Sequence, residues 1–147
     1  PPDGLDPRIK SLNYLNHILA RMEARRSGAQ EAILLNGAGH VAEGSADNVF
    51  VVRDGVLYTP PTSDGALEGV TRGVVMELAR QRGLPLREAS LAPYDLYTAD
   101  EVFLTGTGAE LIPVREVDGR AMTACPGPVF RALQADFRVL VERECGT

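Results

Sequence analysis

Asn48-Val49-Phe50-Val51-Val52-Arg53-Asp54-Gly55-Val56-Leu57-Tyr58 reads as a β-hairpin. β-Branched and aromatic residues fill its two arms, and Asp-Gly between them suits a tight reverse turn. A hairpin pairs antiparallel neighbours. Where hairpins alternate with helices along a chain, a doubly wound parallel sheet is excluded. The stretch therefore points to a mixed α/β domain of α+β character.

The flanking sequence extends that alternation. Upstream, Ala32-Ile33-Leu34-Leu35 and His40-Val41-Ala42 flank Asn36-Gly37, a second hairpin signal. Before it, Leu12, Leu15, Ile18, Leu19 and Met22 recur at helical spacing and Gly28 offers a C-cap, so a helix is expected over 11–27 with Lys10 at its entrance. Pro1 to Pro7 reads as a linker. Downstream, Thr59 to Gly69 reads as a loop. A helix follows from near Thr71 to Gly83, with Val74, Val75, Leu78 and Ala79 inward. Glu101-Val102-Phe103-Leu104 is strand-like and turns at Gly106-Thr107-Gly108. Ile112 to Val117 and Arg120 to Met122 form a hairpin about Asp118-Gly119. A last helix runs from Pro128 to Arg143, with Val129, Leu133, Phe137 and Leu140 on its apolar side.

Composition narrows the function. The 147 residues carry a net charge of −5, which argues against a nucleic-acid module and its basic patch. No apolar run approaches the ~20 residues of a membrane span. The opening Pro1-Pro2-Asp3-Gly4 has no basic or apolar stretch of a signal peptide. Cys125 and Cys145 are too few for a disulfide framework. A reduced, cytoplasmic protein is expected. His17 and His40 stand isolated in the sequence, and no metal-ligand spacing is present.

Lys10 is the one lysine in a chain that otherwise uses arginine for positive charge. A guanidinium stays protonated and is a poor nucleophile, whereas an ε-amine can lose its proton and condense with a carbonyl. Lys10 is therefore a candidate Schiff-base residue. Gly69-Val70-Thr71 precedes a helix, and a helix N-terminus offers unpaired N–H groups and partial positive charge to a phosphate. Thr71 also reads as an ordinary N-cap.

Four segments come in order: Ile9-Lys10-Ser11-Leu12-Asn13-Tyr14-Leu15, Glu43-Gly44-Ser45-Ala46-Asp47-Asn48-Val49-Phe50, Leu67-Glu68-Gly69-Val70-Thr71-Arg72 and Asp100 to Glu110. Together they resemble the class IV, or fold-type IV, pyridoxal-phosphate enzymes. That family includes branched-chain aminotransferases, D-amino acid transaminases and aminodeoxychorismate lyases. The resemblance implies the C-terminal pseudo-barrel domain of the D-amino acid aminotransferase-like fold, spanning 10–147. Residues 1–9 are then an interdomain linker, and the family's N-terminal domain is missing from this chain.

Pyridoxal phosphate needs an amine, a partner for its ring nitrogen, an anion site and control of the ring face. By resemblance Lys10 supplies the amine and Glu43 the ring-nitrogen partner, with Asn48 shaping the site beside it. Val70 and Thr71 bind the phosphate at the turn that Gly69 opens, Leu67 packs on the ring, and Thr107 supports the phosphate. The amides of Thr107 and Gly108 face the substrate carboxylate, although many relatives carry alanine at Gly108. By the same resemblance Tyr14 bonds the cofactor's phenolic oxygen, and Tyr14, Ala42-Glu43-Gly44-Ser45 and Thr105-Gly106-Thr107 together tilt the reading to the L-branched-chain subgroup.

The expected reaction is transamination of branched-chain L-amino acids with 2-oxoglutarate, by a homodimer whose substrates are amino acids and 2-oxo acids. D-amino acid transamination, aminodeoxychorismate lyase chemistry and a non-catalytic domain are the alternatives. By resemblance the missing N-terminal half carries an arginine for the phosphate, so this chain alone is expected to be inactive.

Overall fold

A computed structural model describes residues 14–106, 108 and 110–146. Its first helix, α1, spans Tyr14–Arg26, and Gly28 beyond it takes a positive φ of 84°. The hairpin expected around Asn36 forms from β1 (Ile33–Leu35) and β2 (Val41–Gly44), paired antiparallel. Asn36 closes it, donating its N–H to the His40 carbonyl at 2.8 Å.

The diagnostic hairpin becomes β3 (Asn48–Arg53) and β4 (Val56–Thr59), in antiparallel register with Arg53 opposite Val56. Asp54 and Gly55 sit at φ 50° and 76°, the pair of positive values that a tight turn of this kind demands. Helix α2 (Val70–Gln81) follows, ending before Gly83 at φ 72°. Two elements had no strong sequence signal. Strand β5 (Leu86–Glu88) lies at a sheet edge and pairs parallel to β4. Helix α3 (Pro93–Tyr97) is one short turn, and its Asp95 accepts the Ala92 N–H at 2.8 Å. A 3-10 turn, Thr62–Asp64, also interrupts the expected loop.

Strand β6 (Glu101–Gly106) pairs with β3, and β7 (Glu110–Pro113) pairs with β6. The strand expected over Ile112 to Val117 is in fact divided. Its first part, β7, closes the edge of the main sheet. Its second part, β8 (Glu116–Val117), forms a separate ribbon with β9 (Arg120–Ala121). Pro113 at the end of β7 cannot donate to a ladder, which suits an edge position. Helix α4 spans Pro128–Cys145.

The main sheet has the order β5-β4-β3-β6-β7 and is antiparallel except at β4/β5. That parallel pair, joined through α2, qualifies the expectation of hairpins alone. Alternation along β3 and β6 splits the core into two layers. Phe50 and Phe103 stack at 5.2 Å on one face, beneath α2 and α4. Val49, Val51, Val102 and Leu104 face the other way, toward Val41, Leu91 and Leu96. The expected stripe on α4 is rotated slightly, since Phe130, Leu133 and Phe137 are its buried residues and Val129 and Leu140 its margins. On α1 the outcome differs more. Leu15, Leu19 and Met22 are 66%, 54% and 46% exposed, and no described residue of that helix is buried.

Candidate active site

Glu43, on β2, is buried, and its carboxylate is held from two sides. Oε2 accepts the Leu67 N–H at 2.9 Å, and Oε1 lies 3.0 Å from His17 Nε2. A carboxylate only accepts, so the ring nitrogen of His17 is the donor. Asn48, the first residue of β3, donates its side-chain amide to the Leu67 carbonyl at 2.8 Å. The Leu67 backbone is thus clamped at both its N–H and its carbonyl.

These groups border a cavity of about 350 Å³, together with Tyr14, Gly69, Val70 and Thr71. Seven of the residues singled out in the sequence are thereby brought together: Tyr14, Glu43, Asn48, Leu67, Gly69, Val70 and Thr71. Lys10 and Thr107 lie outside the described residues. Gly108 is exposed and borders a different, larger cavity of about 1370 Å³.

One end of the smaller cavity offers hydrogen-bond donors. Helix α2 starts there, with Gly69 as its N-cap and no side-chain capping bond. Thr71 is therefore the second residue inside the helix, not the cap that the sequence suggested, and its side chain is left for the cavity. The first-turn N–H groups have no intrahelical partners. Gly69 is needed at this point because a Cβ would stand 2.3 Å from Asn48 Oδ1, and that amide is already pinned to Leu67. Thr105 lines the same cavity, and its buried Oγ1 has no hydrogen-bond partner among the described residues. A buried hydroxyl without a partner is costly, and oxygens of a bound group would satisfy it. No arginine or lysine lines this cavity among the described residues.

Beside the cavity, Asp47 and Glu31 form a carboxyl pair. Partial burial pushes the Asp47 carboxyl up to about 6, and its hydrogen bond to Glu31 and that group's charge add to the rise. Burial acts on Glu31 in the same sense. There, bonds from the Ser45 hydroxyl and the Ala32 and Ser45 amides prevail and hold it below its ordinary value. Arg21 of α1 is close enough to favour the charged form of Asp47. Asp47 also explains Gly106, where a Cβ would stand 2.2 Å from Asp47 Oδ1.

Sequence reasoning missed His17, Thr105 and the Asp47–Glu31 pair. His17 stands isolated in the sequence because its partner lies 26 residues on. Thr105 lies within the Asp100–Glu110 segment, but no local pattern distinguishes a cavity hydroxyl from an ordinary strand threonine. Among the described residues no cluster of three metal-ligating side chains exists, and no helix is long and apolar enough to cross a membrane.

Comparison with known proteins places this geometry. Residues 1–117 match the family model described as amino-transferase class IV. A relative from Methanocaldococcus jannaschii is 52% identical over 139 residues, covering 94% of this chain and 48% of its own length. The branched-chain-amino-acid aminotransferase of Escherichia coli K12 is 47% identical over 126 residues, 85% of this chain and 41% of that protein. Among solved structures, the branched-chain amino acid aminotransferase of Thermobaculum terrenum in its PLP form superposes with a TM-score of 0.90 at 44% identity, covering 93% of this chain and 46% of that one. The Thermoproteus uzoniensis enzyme with norvaline gives 0.84 at 48% identity, covering 87% and 42%. The chain thus spans about half the length of the relatives it matches.

Proposed function

We propose, because this chain belongs to the class IV aminotransferases, that it forms the cofactor-binding part of a pyridoxal-phosphate-dependent aminotransferase acting on branched-chain L-amino acids. The observation that carries the reading is the cavity itself. It joins a two-sided clamp on the Glu43 carboxylate to the open N-terminus of α2. The names of the E. coli, T. terrenum and T. uzoniensis relatives support the branched-chain substrate over D-amino acid or lyase chemistry.

The residues fit the group. Pyridoxal phosphate, when bound, supplies a carbonyl for the amine and an electron-withdrawing ring. Glu43 holds the proton on the ring nitrogen, and its two donors keep the carboxylate plane from turning. The amides of Val70 and Thr71, with the Thr71 and Thr105 hydroxyls, meet the phosphate oxygens. Leu67 covers the ring, and Asn48 and Glu43 fix where its backbone runs. Tyr14 donates toward the phenolic oxygen, and Thr107 and the Gly108 amide serve the phosphate and the substrate carboxylate. Lys10 supplies the amine and moves the proton at the substrate Cα. The complete polypeptide works as a homodimer, with 2-oxoglutarate as amino acceptor.

A direct test uses the complete polypeptide loaded with cofactor. Lys10→Arg abolishes leucine–2-oxoglutarate exchange, since the charge stays but the nucleophile goes. Glu43→Gln keeps cofactor binding and slows turnover by roughly 10²-fold, the effect of one lost charged hydrogen bond at the reacting system. Undiminished turnover in either variant would count against the assignment. On the same reading the 147-residue chain alone binds cofactor weakly and gives no useful turnover. Its described cavity meets the phosphate with helix amides and hydroxyls but no cationic side chain.

A further inference from the structure

We propose that His17 is a positioning residue: it docks α1 onto Glu43 and fixes the carboxylate that receives the ring nitrogen. This rests on the cofactor reading above and adds to it a residue that the four-segment resemblance does not assign.

Helix α1 needs something other than apolar packing to locate it, because none of its described residues is buried. Three of its polar residues lie along one side. Tyr14, His17 and Arg21 are spaced three and four apart, so they share a face. Tyr14 and His17 border the cavity, and Arg21 lies toward Asp47. The two carboxylates they address flank the turn from β2 to β3. The His17–Glu43 bond is enclosed, with side chains only 12% and 9% exposed, so water does not readily replace it. It joins the helix that follows the lysine segment to the strand that carries the ring-nitrogen partner. The same bond leaves Glu43 with one oxygen tied to α1 and the other to the Leu67 backbone. Each oxygen has a second lone pair, so the carboxylate can still accept from a ring nitrogen. Remove His17, and Oε1 is free to turn or to take water. The remaining Leu67 bond does not set the plane.

The test reads the ring-nitrogen NMR shift of isotope-labelled pyridoxal phosphate in the complete, cofactor-loaded polypeptide, with the cofactor dissociation constant alongside. The variants are His17→Ala, His17→Gln and Glu43→Gln. Gln places an amide nitrogen where the imidazole Nε2 stands, so it keeps the donor without the ring. Expected for His17→Ala is a shift toward the unprotonated ring nitrogen and a dissociation constant about tenfold higher, as one modest hydrogen bond lost from the site implies. His17→Gln restores both to near the parent values. An unchanged shift and affinity in His17→Ala overturns the proposal. So does a loss in His17→Gln equal to that in His17→Ala, because packing of the ring would then be its role. Glu43→Gln separates the two levels of argument. If it moves the shift while His17→Ala does not, only the His17 proposal falls. If it leaves the shift unchanged, the placement of Glu43 at the ring nitrogen falls with it.

Discussion

Helices α1 and α4 look alike in sequence and behave differently in the fold. Both carry large apolar residues at helical spacing. On α4 these residues enter the core: Leu133 is fully buried, and Phe130 packs edge-on to Phe103 at 5.6 Å. On α1 the corresponding Leu15, Leu19 and Met22 stay largely exposed, and the helix reaches the β1–β2 hairpin through the His17–Glu43 bond, with Arg21 near Asp47. Periodicity names the apolar face of a helix. It does not name what covers that face, because coverage depends on elements far away in sequence or outside the described residues.

The contrast is open to attack from its strongest side first. Leu133→Ala removes a fully buried side chain between α2, α4 and the sheet, and should cost about 3 kcal/mol of stability in chemical denaturation. A loss as small as that of an exposed site would mean that α4 is not packed as described. Next is the polar end of the same helix. Glu101 is buried, and its carboxylate accepts the Val129 and Phe130 N–H groups at 3.1 and 3.0 Å. Glu101→Ala leaves both donors unpaired, the Phe130 N–H fully buried and the Val129 N–H partly so, and should cost about 2 kcal/mol. Thermal melts of the variant check this, and an unchanged midpoint would show that water replaces the carboxylate.

The effect at Asp47 is smaller and depends on pH. Its folded value of about 6 lies above the ordinary 3.8, so the group favours the fold fully below 3.8 and that contribution is lost as pH rises through about 6. Asp47→Asn removes the loss. After allowance for partial exposure, the variant should gain about 1 kcal/mol over the parent above pH 6 and nothing at low pH. Paired melts across that range read the difference, and a gain that does not vary with pH would refute the titration. Arg21→Ala, by removing a charge that favours ionised Asp47, should enlarge the gain. Smallest of all is Leu19→Ser on α1, which should change the stability of the 147-residue chain by less than about 0.5 kcal/mol. A loss near that of Leu133→Ala would erase the distinction between the helices.

Much of this molecule is legible from local chemistry. Asp54-Gly55 and Asp118-Gly119 each sit at a hairpin turn with positive φ, a short-range demand that few residues meet, whereas in the Asn36-Gly37 loop the positive φ falls at Gly39. The helix over α2 and the helix over α4 follow from their periodicity. The segments holding Glu43, Asn48 and Gly69-Val70-Thr71 were recognisable by resemblance as parts of one site. Less legible were β5 and α3, which are too short to show a period, and β5 pairs only because α2 returns the chain to the sheet edge. The break between β7 and β8 was hidden for the same reason, since each half takes its register from a different partner.

By itself, then, the sequence determined the turns, the helical periods, the lone lysine and the candidate residues of which seven line one cavity. Tertiary structure alone decided that His17 meets Glu43, that Thr105 offers a buried hydroxyl to the cavity, and that Asp47 and Glu31 share a proton-sensitive contact. It also decided that α4 is covered and that, among the described residues, α1 is not. The reason is physical. Backbone conformation and periodicity are set within a few residues, whereas burial, hydrogen-bond partnership and carboxyl basicity depend on atoms that folding brings from distant positions.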